Sequence, residues 1–279
     1  MLTIIKGRIP MSDKIPIDLG SVQKTLFLPL WGRAEETRKS NPMLLDPAAV
    51  RIMEQVDFNF SQAAETIDDL TKIAWIKRSL ISDQVIRKFL QEHPEGTVVN
   101  IGCGLDTTFD RVDNGTVRWY DLDMPDTIQL RKRFFEESEH RTMIASSFLE
   151  TEWLDELLVR GNVFFLSAGV FYYFEENTIK DFVLELVNRF PGSELLFDAC
   201  SPLGLKIANK KVVESAGLDQ TSHLVWGLEN RETLLEWHER IRIINTFHYY
   251  KSDIPGLRNK LMGTVSDILG IQYMIHLGL

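Results

Sequence analysis

The chain has 279 residues, of which 44% are hydrophobic and 25% are charged. This length and composition allow a large buried core without disulfides or metal, and they exclude a disordered or low-complexity protein. The 31 Lys and Arg residues against 40 Asp and Glu residues give a net charge of −9. That balance argues against a general nucleic-acid binder, because such a protein needs a basic face.

The two cysteines, Cys103 and Cys200, are too few for a disulfide framework or a structural zinc site and fit a reducing compartment. Residues 1–20 lack the apolar core of a signal peptide. The longest uncharged apolar run, Val163 to Phe174, is too short to span a bilayer. We therefore expect a cytoplasmic protein that binds no metal and does not associate with membranes.

The N-terminal part of the chain predicts helices after an irregular start. The first forty residues, interrupted by prolines such as Pro29, are predicted to be irregular. Asp46 is a predicted helix N-cap, with Pro47 at the first helical position. Apolar residues at helical spacing predict a long helix from about residue 63 to residue 92.

Strands and helices then alternate along the chain. Short apolar runs predict strands at 97–101, 117–120, 142–145, 163–166, 195–197, 241–247 and 271–276. Helices are predicted at 125–139, about 153–158, 177–190 and 229–240. This alternation predicts an α/β fold with a doubly wound parallel sheet covered by helices on both faces. The less patterned segment 201–224 is predicted to be an insertion that forms part of a lid or substrate wall.

The most informative motif is a glycine turn at the end of the first predicted strand. Gly102 and Gly104 can adopt positive φ angles and have no Cβ, so a ligand can lie against the backbone there. Asp121 and Asp123 follow the next strand about 20 residues on, where a carboxylate suits a nucleotide ribose.

Two residues after this turn bear on the kind of nucleotide. A dinucleotide site would have a third glycine where Thr107 stands, and Asp106 would repel a pyrophosphate. These features disfavour an NAD-dependent oxidoreductase. They suit S-adenosylmethionine, which carries a sulfonium and an ammonium group.

Five segments resemble the leucine carboxyl methyltransferase and polyketide O-methyltransferase family. They are LPLWGRAEETR, IKRSLISDQVIRKFL, VVNIGCGLDTTFDRV, RWYDLDMPDTIQLRKRFF and VFYYF. The resemblance implies a class I methyltransferase fold with a seven-stranded sheet, S-adenosylmethionine as cofactor and an oxygen as methyl acceptor. It also implies a helical N-terminal region, residues 1–95, that caps the active site, and a cofactor-binding domain, residues 96–279, with the insertion near 201–224.

The resemblance also implies roles for individual residues. Arg78 matches a family arginine that grips the methionine carboxylate of the cofactor, as a guanidinium fork suits a carboxylate. Asp123 matches the ribose-binding acid, and Asp121 is expected to share that task. The full cofactor-binding set comprises Arg78, Gly102, Cys103, Gly104, Asp121, Asp123, Ser147, Phe148 and Ala168.

Two of these positions depart from the family pattern. Ser147 stands where members carry an aspartate near the adenine, and Phe148 follows it. Ala168 stands where many members carry a glutamate. These changes keep open a degenerate, non-catalytic protein that binds the cofactor in a regulatory role.

The acceptor end is expected to contain Arg33 and Tyr173, which match family positions. A carboxylate acceptor needs no base, whereas a phenol or alcohol needs one, which His223, Tyr172 or Tyr173 would supply. The sequence therefore predicts O-methylation of a carboxyl or hydroxyl group on a small aromatic or polyketide-like molecule. Methylation of a protein C-terminal carboxyl is the less favoured alternative.

Overall fold

The computed structural model describes residues 15–16, 21–57, 67–210, 223–251 and 254–279. The strands are β1 Ile15–Pro16, β2 Val56–Asp57, β3 Thr97–Ile101, β4 Arg118–Asp123, β5 Arg141–Ala145, β6 Val163–Ser167, β7 Glu194–Ala199, β8 Arg242–His248 and β9 Tyr273–Gly278. The α-helices are α1 Ser21–Thr37, α2 Pro47–Gln55, α3 Asp69–Glu92, α4 Thr108–Val112, α5 Pro125–Arg131, α6 Glu176–Arg189, α7 Pro202–Ala208 and α8 Leu257–Ile268.

Seven strands form one sheet in the order β5-β4-β3-β6-β7-β9-β8, and β9 is antiparallel to both its neighbours. From β3 the chain proceeds outward to β4 and β5 and then returns to β6 on the other side of β3. The strand order therefore reverses between β3 and β6, which is where open α/β sheets bind ligands. The predicted doubly wound, seven-stranded fold is confirmed.

Both faces of the central strands β3 and β6 are buried, as their unbroken apolar runs predict. The neighbouring residues Phe164 and Phe165 of β6 are fully buried on opposite faces of the sheet. Phe164 packs with Phe89 of α3, whereas Phe165 belongs to the core that includes Phe182 of α6. Burial on both faces removes the polar alternation that a half-exposed strand would show.

The prediction of an irregular start is wrong for part of the first forty residues. Helix α1 continues through Pro29, although an internal proline costs a helix a hydrogen bond. Phe27, Leu30 and Ala34 recur at helical spacing on this helix and are fully buried. Their burial against α2 and the glycine turn outweighs the cost of the proline.

Several predicted boundaries also differ. The helix that begins at Pro125 ends at Arg131 rather than near residue 139, because the chain turns and places Phe135 over the Arg131 guanidinium. The predicted helix at 229–240 is a 3-10 helix, Arg231–Glu236, whose three-residue repeat buries both Leu234 and Trp237. The segment predicted at 153–158 is likewise a 3-10 helix, Thr151–Glu156.

In the predicted insertion, helix α7 lies within 201–210, and residues 211–222 lie outside the described residues. The division of the chain at residue 95 stays a prediction. Among the described helices, none is both long enough and apolar enough to cross a membrane.

The Asp46 carboxylate joins the N-terminal helices to the turn after β3. Asp46 is fully buried, and one oxygen accepts the Ala49 N–H at 2.9 Å, which confirms the predicted N-cap of α2. The other oxygen accepts hydrogen bonds from Arg33 Nε (2.9 Å), Arg111 Nη1 (3.0 Å) and Thr107 Oγ1 (2.6 Å). One side chain thereby connects α1, α2 and the start of α4.

We predict that Asp46→Ala lowers the free energy of unfolding by about 3 to 5 kcal/mol, because it leaves two buried guanidinium groups without this counter-charge. Urea denaturation of both proteins measures the change. Glu35→Ala is the matched control, because Glu35 pairs with Arg38 at the surface and such pairs contribute at most about 1 kcal/mol. Similar small losses in both variants would contradict the central role of Asp46.

Candidate active site

A cavity of about 390 Å³ opens at the carboxyl ends of β3, β4 and β6, next to the reversal of strand order. Helices α1 and α3 contribute one wall, and the turns after β3 and β6 contribute another. The residues that line it and carry the argument below are Leu26, Leu28, Arg33, Trp75, Arg78, Gly102, Cys103, Gly104, Asp106, Asp123, Ala168, Gly169, Tyr172, Tyr173, Phe174 and Leu224.

The glycine turn has the backbone that the sequence predicts. Gly102 has φ = 62° and Gly104 has φ = 46°, in the left-handed region that other residues rarely adopt. A Cβ at Gly102 would lie 2.3 Å from Val170 Cγ2. Between the two glycines, the Cys103 side chain is buried in the core that includes Phe27, and burial raises the pKa of its thiol. Cys103 therefore fills space and is not a nucleophile.

Asp123 lines the cavity and is bound to the glycine turn. Its carboxylate accepts the Gly104 N–H at 2.7 Å and the Met124 N–H at 2.7 Å. Burial raises the pKa of Asp123 above its ordinary value, although these two hydrogen bonds oppose the shift. The Asp123 carboxylate therefore lies beside the glycine turn, at the end of β4.

Asp121 has a different position from the one expected. It lies two residues before the end of β4, is fully buried and does not line the cavity. Its carboxylate accepts hydrogen bonds from Arg131 Nη2 at 3.0 Å, Arg141 Nε at 2.9 Å and Trp119 Nε1 at 2.9 Å. The structure thus gives Asp121 contacts within the core rather than with a ligand.

Arg78 of α3 lines the cavity and pairs with Asp198, which sequence reasoning did not assign to the site. Arg78 Nη1 lies 3.1 Å from Asp198 Oδ2 and 3.5 Å from the Tyr172 hydroxyl. Burial alone would lower the pKa of Arg78, but Asp198 outweighs it and the pKa is raised. The guanidinium is therefore permanently charged. The only sequence signal for Asp198 is its place at the end of a strand beside β6.

Arg33 lies inside the protein and not at the surface. It lines the cavity, is 5% exposed and donates from Nε to Asp46, with Nη2 3.4 Å from the Leu105 carbonyl oxygen. Its guanidinium pairs with Asp46 and not with the nearby Glu36, which instead pairs with Lys39. Burial lowers the pKa of Arg33, although Asp46 opposes that shift.

Asp106 also lines the cavity and was not among the predicted site residues. It accepts hydrogen bonds from Asn100 Nδ2 and Thr108 N, both at 3.1 Å. Burial favours its neutral form, but Arg111 and Arg33 outweigh burial and lower the pKa of Asp106 to about 2. Asp106 is therefore a fixed negative charge at the glycine turn.

Of the other predicted residues, Tyr173 and Ala168 line the cavity, whereas His223, Ser147 and Phe148 do not. The Phe148 ring packs in the core against Phe174 and Phe182, with centroid distances of 4.9 Å to each. The Ser147 hydroxyl instead accepts the N–H of Leu149 at 3.3 Å.

A sequence model of the leucine carboxyl methyltransferase family matches residues 27–186, which is more than half of the chain. The chain is 28% identical over 244 residues to the tetracenomycin polyketide synthesis O-methyltransferase TcmP of Streptomyces glaucescens, covering 87% of the chain and 82% of the relative. It is 25% identical over 264 residues to the S-adenosyl-L-methionine-dependent methyltransferase dpfgK of Gibberella zeae, covering 84% and 88% of the two chains.

Solved structures share the fold at low sequence identity. A DUF574 family protein from Streptomyces avermitilis superposes with a TM-score of 0.59 at 10% identity, covering 91% of the chain and 96% of that structure. A candidate methyltransferase from Thermobifida fusca gives 0.57 at 15% identity, covering 88% and 93%. With the family match, these findings show that the chain belongs to the leucine carboxyl methyltransferase family and is an S-adenosylmethionine-dependent methyltransferase.

Proposed function

We propose that the chain is an O-methyltransferase that methylates a carboxylate on a small aromatic or polyketide-like molecule. The observation that carries the proposal is one cavity whose lining combines the glycine turn and the charged groups of Arg78, Asp106 and Asp123 with apolar and aromatic side chains. Apart from Asp106 and Asp123, which are assigned to the cofactor below, the described residues of the lining supply no suitable general base. The relative TcmP, a polyketide O-methyltransferase by name, supports the same acceptor class.

The glycines and the charged groups of the cavity lining fit the cofactor. Gly102 and Gly104 both line the cavity, and the neighbouring side chains of Val170 and Leu26 leave little room for a Cβ at either position. A ligand at this turn would therefore contact the glycine backbone. Asp123 can accept hydrogen bonds from ribose hydroxyls, and Arg78 can receive the methionine carboxylate. Asp106 is a fixed anion that suits the cofactor ammonium. When bound, S-adenosylmethionine supplies an electrophilic methyl group.

The apolar and aromatic side chains of the cavity lining fit a small acceptor. Leu26 and Leu28 of α1 face the cavity together with Trp75 of α3, and Phe174 and Leu224 line it as well. These side chains exclude water and hold a flat, apolar body, whereas a charged macromolecule would find few partners. We accordingly propose a small-molecule partner and neither nucleic acid nor membrane.

The titratable groups of the lining favour an acceptor that is already ionised. All six histidines lie in the described part of the chain, and none of them lines the cavity. Burial raises the pKa of Tyr172, and partial burial also raises the pKa of Tyr173, a residue that is 36% exposed. The carboxylate of Asp106, with a pKa of about 2, is too weak a base. A carboxylate acceptor needs none of them.

Two neighbouring acids test the cofactor site. We predict that Asp123→Asn weakens the binding of S-adenosylhomocysteine by about tenfold, because a charge-assisted contact is lost. Isothermal titration calorimetry measures the affinity. The matched control, Asp121→Asn, is expected to lower the melting temperature without changing the affinity of the folded protein. A selective loss of affinity in Asp121→Asn would contradict the assignment.

The acceptor atom can be identified from the product. We predict that 2-naphthoic acid accepts label from methyl-labelled S-adenosylmethionine, and that mild base releases the label as methanol, because a methyl ester hydrolyses and an ether does not. The matched acceptor 2-naphthol is expected to give little product near neutral pH. Base-stable product would indicate hydroxyl methylation. Tight cofactor binding without transfer to any member of an acceptor panel would favour the non-catalytic alternative.

The pH profile provides an independent check. We predict a flat kcat/KM for the acid from about pH 6.5 to 8.5, because such an acceptor is ionised throughout. A bell-shaped profile centred near neutrality would indicate a protein base and contradict the proposal.

A further inference from the structure

Asp198 is a buried carboxylate close to the cavity but outside its lining. It is next to last in β7, and its side chain is fully buried. One oxygen accepts the Gly169 N–H at 2.6 Å, and the other lies 3.1 Å from Arg78 Nη1. A single side chain therefore contacts both the turn after β6 and the guanidinium that faces the cavity.

These contacts use only one end of the Arg78 guanidinium. Among the residues that the structure describes, both hydrogen-bond acceptors of Arg78, Asp198 and the Tyr172 hydroxyl, are reached by Nη1. That arrangement leaves the donors on Nη2 and Nε for a ligand. An arginine side chain has many rotamers, and fixing one of them before a ligand binds reduces the entropy lost on binding.

The turn after β6 is shaped to admit this guanidinium. Gly169 has φ = 86°, and a Cβ there would lie 2.9 Å from Arg78 Nη1 and 3.4 Å from the Tyr172 hydroxyl oxygen. The Asp198 oxygen that accepts the Gly169 N–H fixes the turn in this open position. Asp198 thus determines both the space for the guanidinium and the direction from which it is held.

We propose that Asp198 is the positioning residue of the cofactor site, which holds Arg78 so that its free donors receive the carboxylate of the methionine part. The proposal rests on the cofactor site proposed above. It adds a residue from β7 that acts on the ligand only through Arg78. The aspartate also keeps the buried Arg78 charge paired when no ligand is bound.

Three ligands and one substitution separate positioning from other roles. S-adenosylhomocysteine carries the carboxylate and the ammonium, S-adenosyl-3-thiopropylamine lacks only the carboxylate, and 5′-methylthioadenosine lacks both. Asp198→Asn preserves the size of the side chain and an acceptor for the Gly169 N–H. We expect it to weaken the binding of S-adenosylhomocysteine by about tenfold in calorimetry, while the affinities for the other two ligands stay unchanged.

A double-mutant cycle with Arg78→Gln tests whether Asp198 acts through Arg78. In the Arg78→Gln background, Asp198→Asn is expected to cause no further loss of affinity for S-adenosylhomocysteine. Glu194→Gln is the matched control, because Glu194 lies on the same strand at the opposite end and pairs with His276. It is expected to bind all three ligands as the unsubstituted protein does.

The remaining outcomes each overturn the proposal. Equal losses for all three ligands would indicate general damage to the site. Equal losses for S-adenosylhomocysteine and S-adenosyl-3-thiopropylamine alone would indicate a contact to the ammonium. Unchanged binding of S-adenosylhomocysteine in Asp198→Asn would remove the positioning role while the cofactor site stands. Failure of the unsubstituted protein to bind S-adenosylhomocysteine would instead overturn the cofactor site itself.

Discussion

The buried Asp46 carboxylate sets the distance between the N-terminal helices and the glycine turn. Arg33 of α1 and Arg111 of α4 both point at it, and each guanidinium disfavours the charge of the other. Asp46 gives both buried guanidinium groups a counter-charge, and Asp83 gives Arg111 a second one. Thr107, which closely follows the glycine turn, donates to the same Asp46 oxygen. Helix α1, which contributes to the cavity wall, and the segment after the glycine turn are therefore held by one oxygen atom.

A second pair of buried charged residues, Arg131 and Asp121, stabilises the same glycine turn from the side of the core. Arg131 donates from Nη1 to the Gly104 carbonyl oxygen at 2.8 Å and from Nη2 to Asp121. On the cavity side, Asp123 accepts the Gly104 N–H. The N–H and the carbonyl oxygen of Gly104 therefore both form hydrogen bonds in the absence of a ligand. A turn built from residues with positive φ is fixed in this way by charge-assisted hydrogen bonds, which lowers the cost of binding.

The sequence predicts what depends on neighbours along the chain, and it misses what depends on distant partners. The β3 strand, the glycine turn and the Asp46 cap follow from local patterns and are confirmed. Asp198 is 120 positions from Arg78, so no spacing rule connects them. The two acids of β4 share a strand and a face. Contacts with the distant Arg131 and Arg141 are what distinguish the fully buried Asp121 from the half-buried Asp123 that lines the cavity. The sequence does not predict helix α1, because this helix is stabilised by packing of its apolar face against α2 and the glycine turn.

The combination of charged and apolar groups in the cavity lining suits the proposed reaction of an anion with a cation. A carboxylate in water is a poor nucleophile because its hydration must be removed before its oxygen can attack. Trp75 and Phe174 would replace that water with apolar surface around the proposed acceptor. In such surroundings the anion and the cation both lose hydration. This loss raises the free energy of the charged reactants more than that of a transition state in which the charges are neutralising. The apolar lining would therefore accelerate attack by an ionised acceptor. A neutral acceptor would gain less, because its attack creates charge in apolar surroundings.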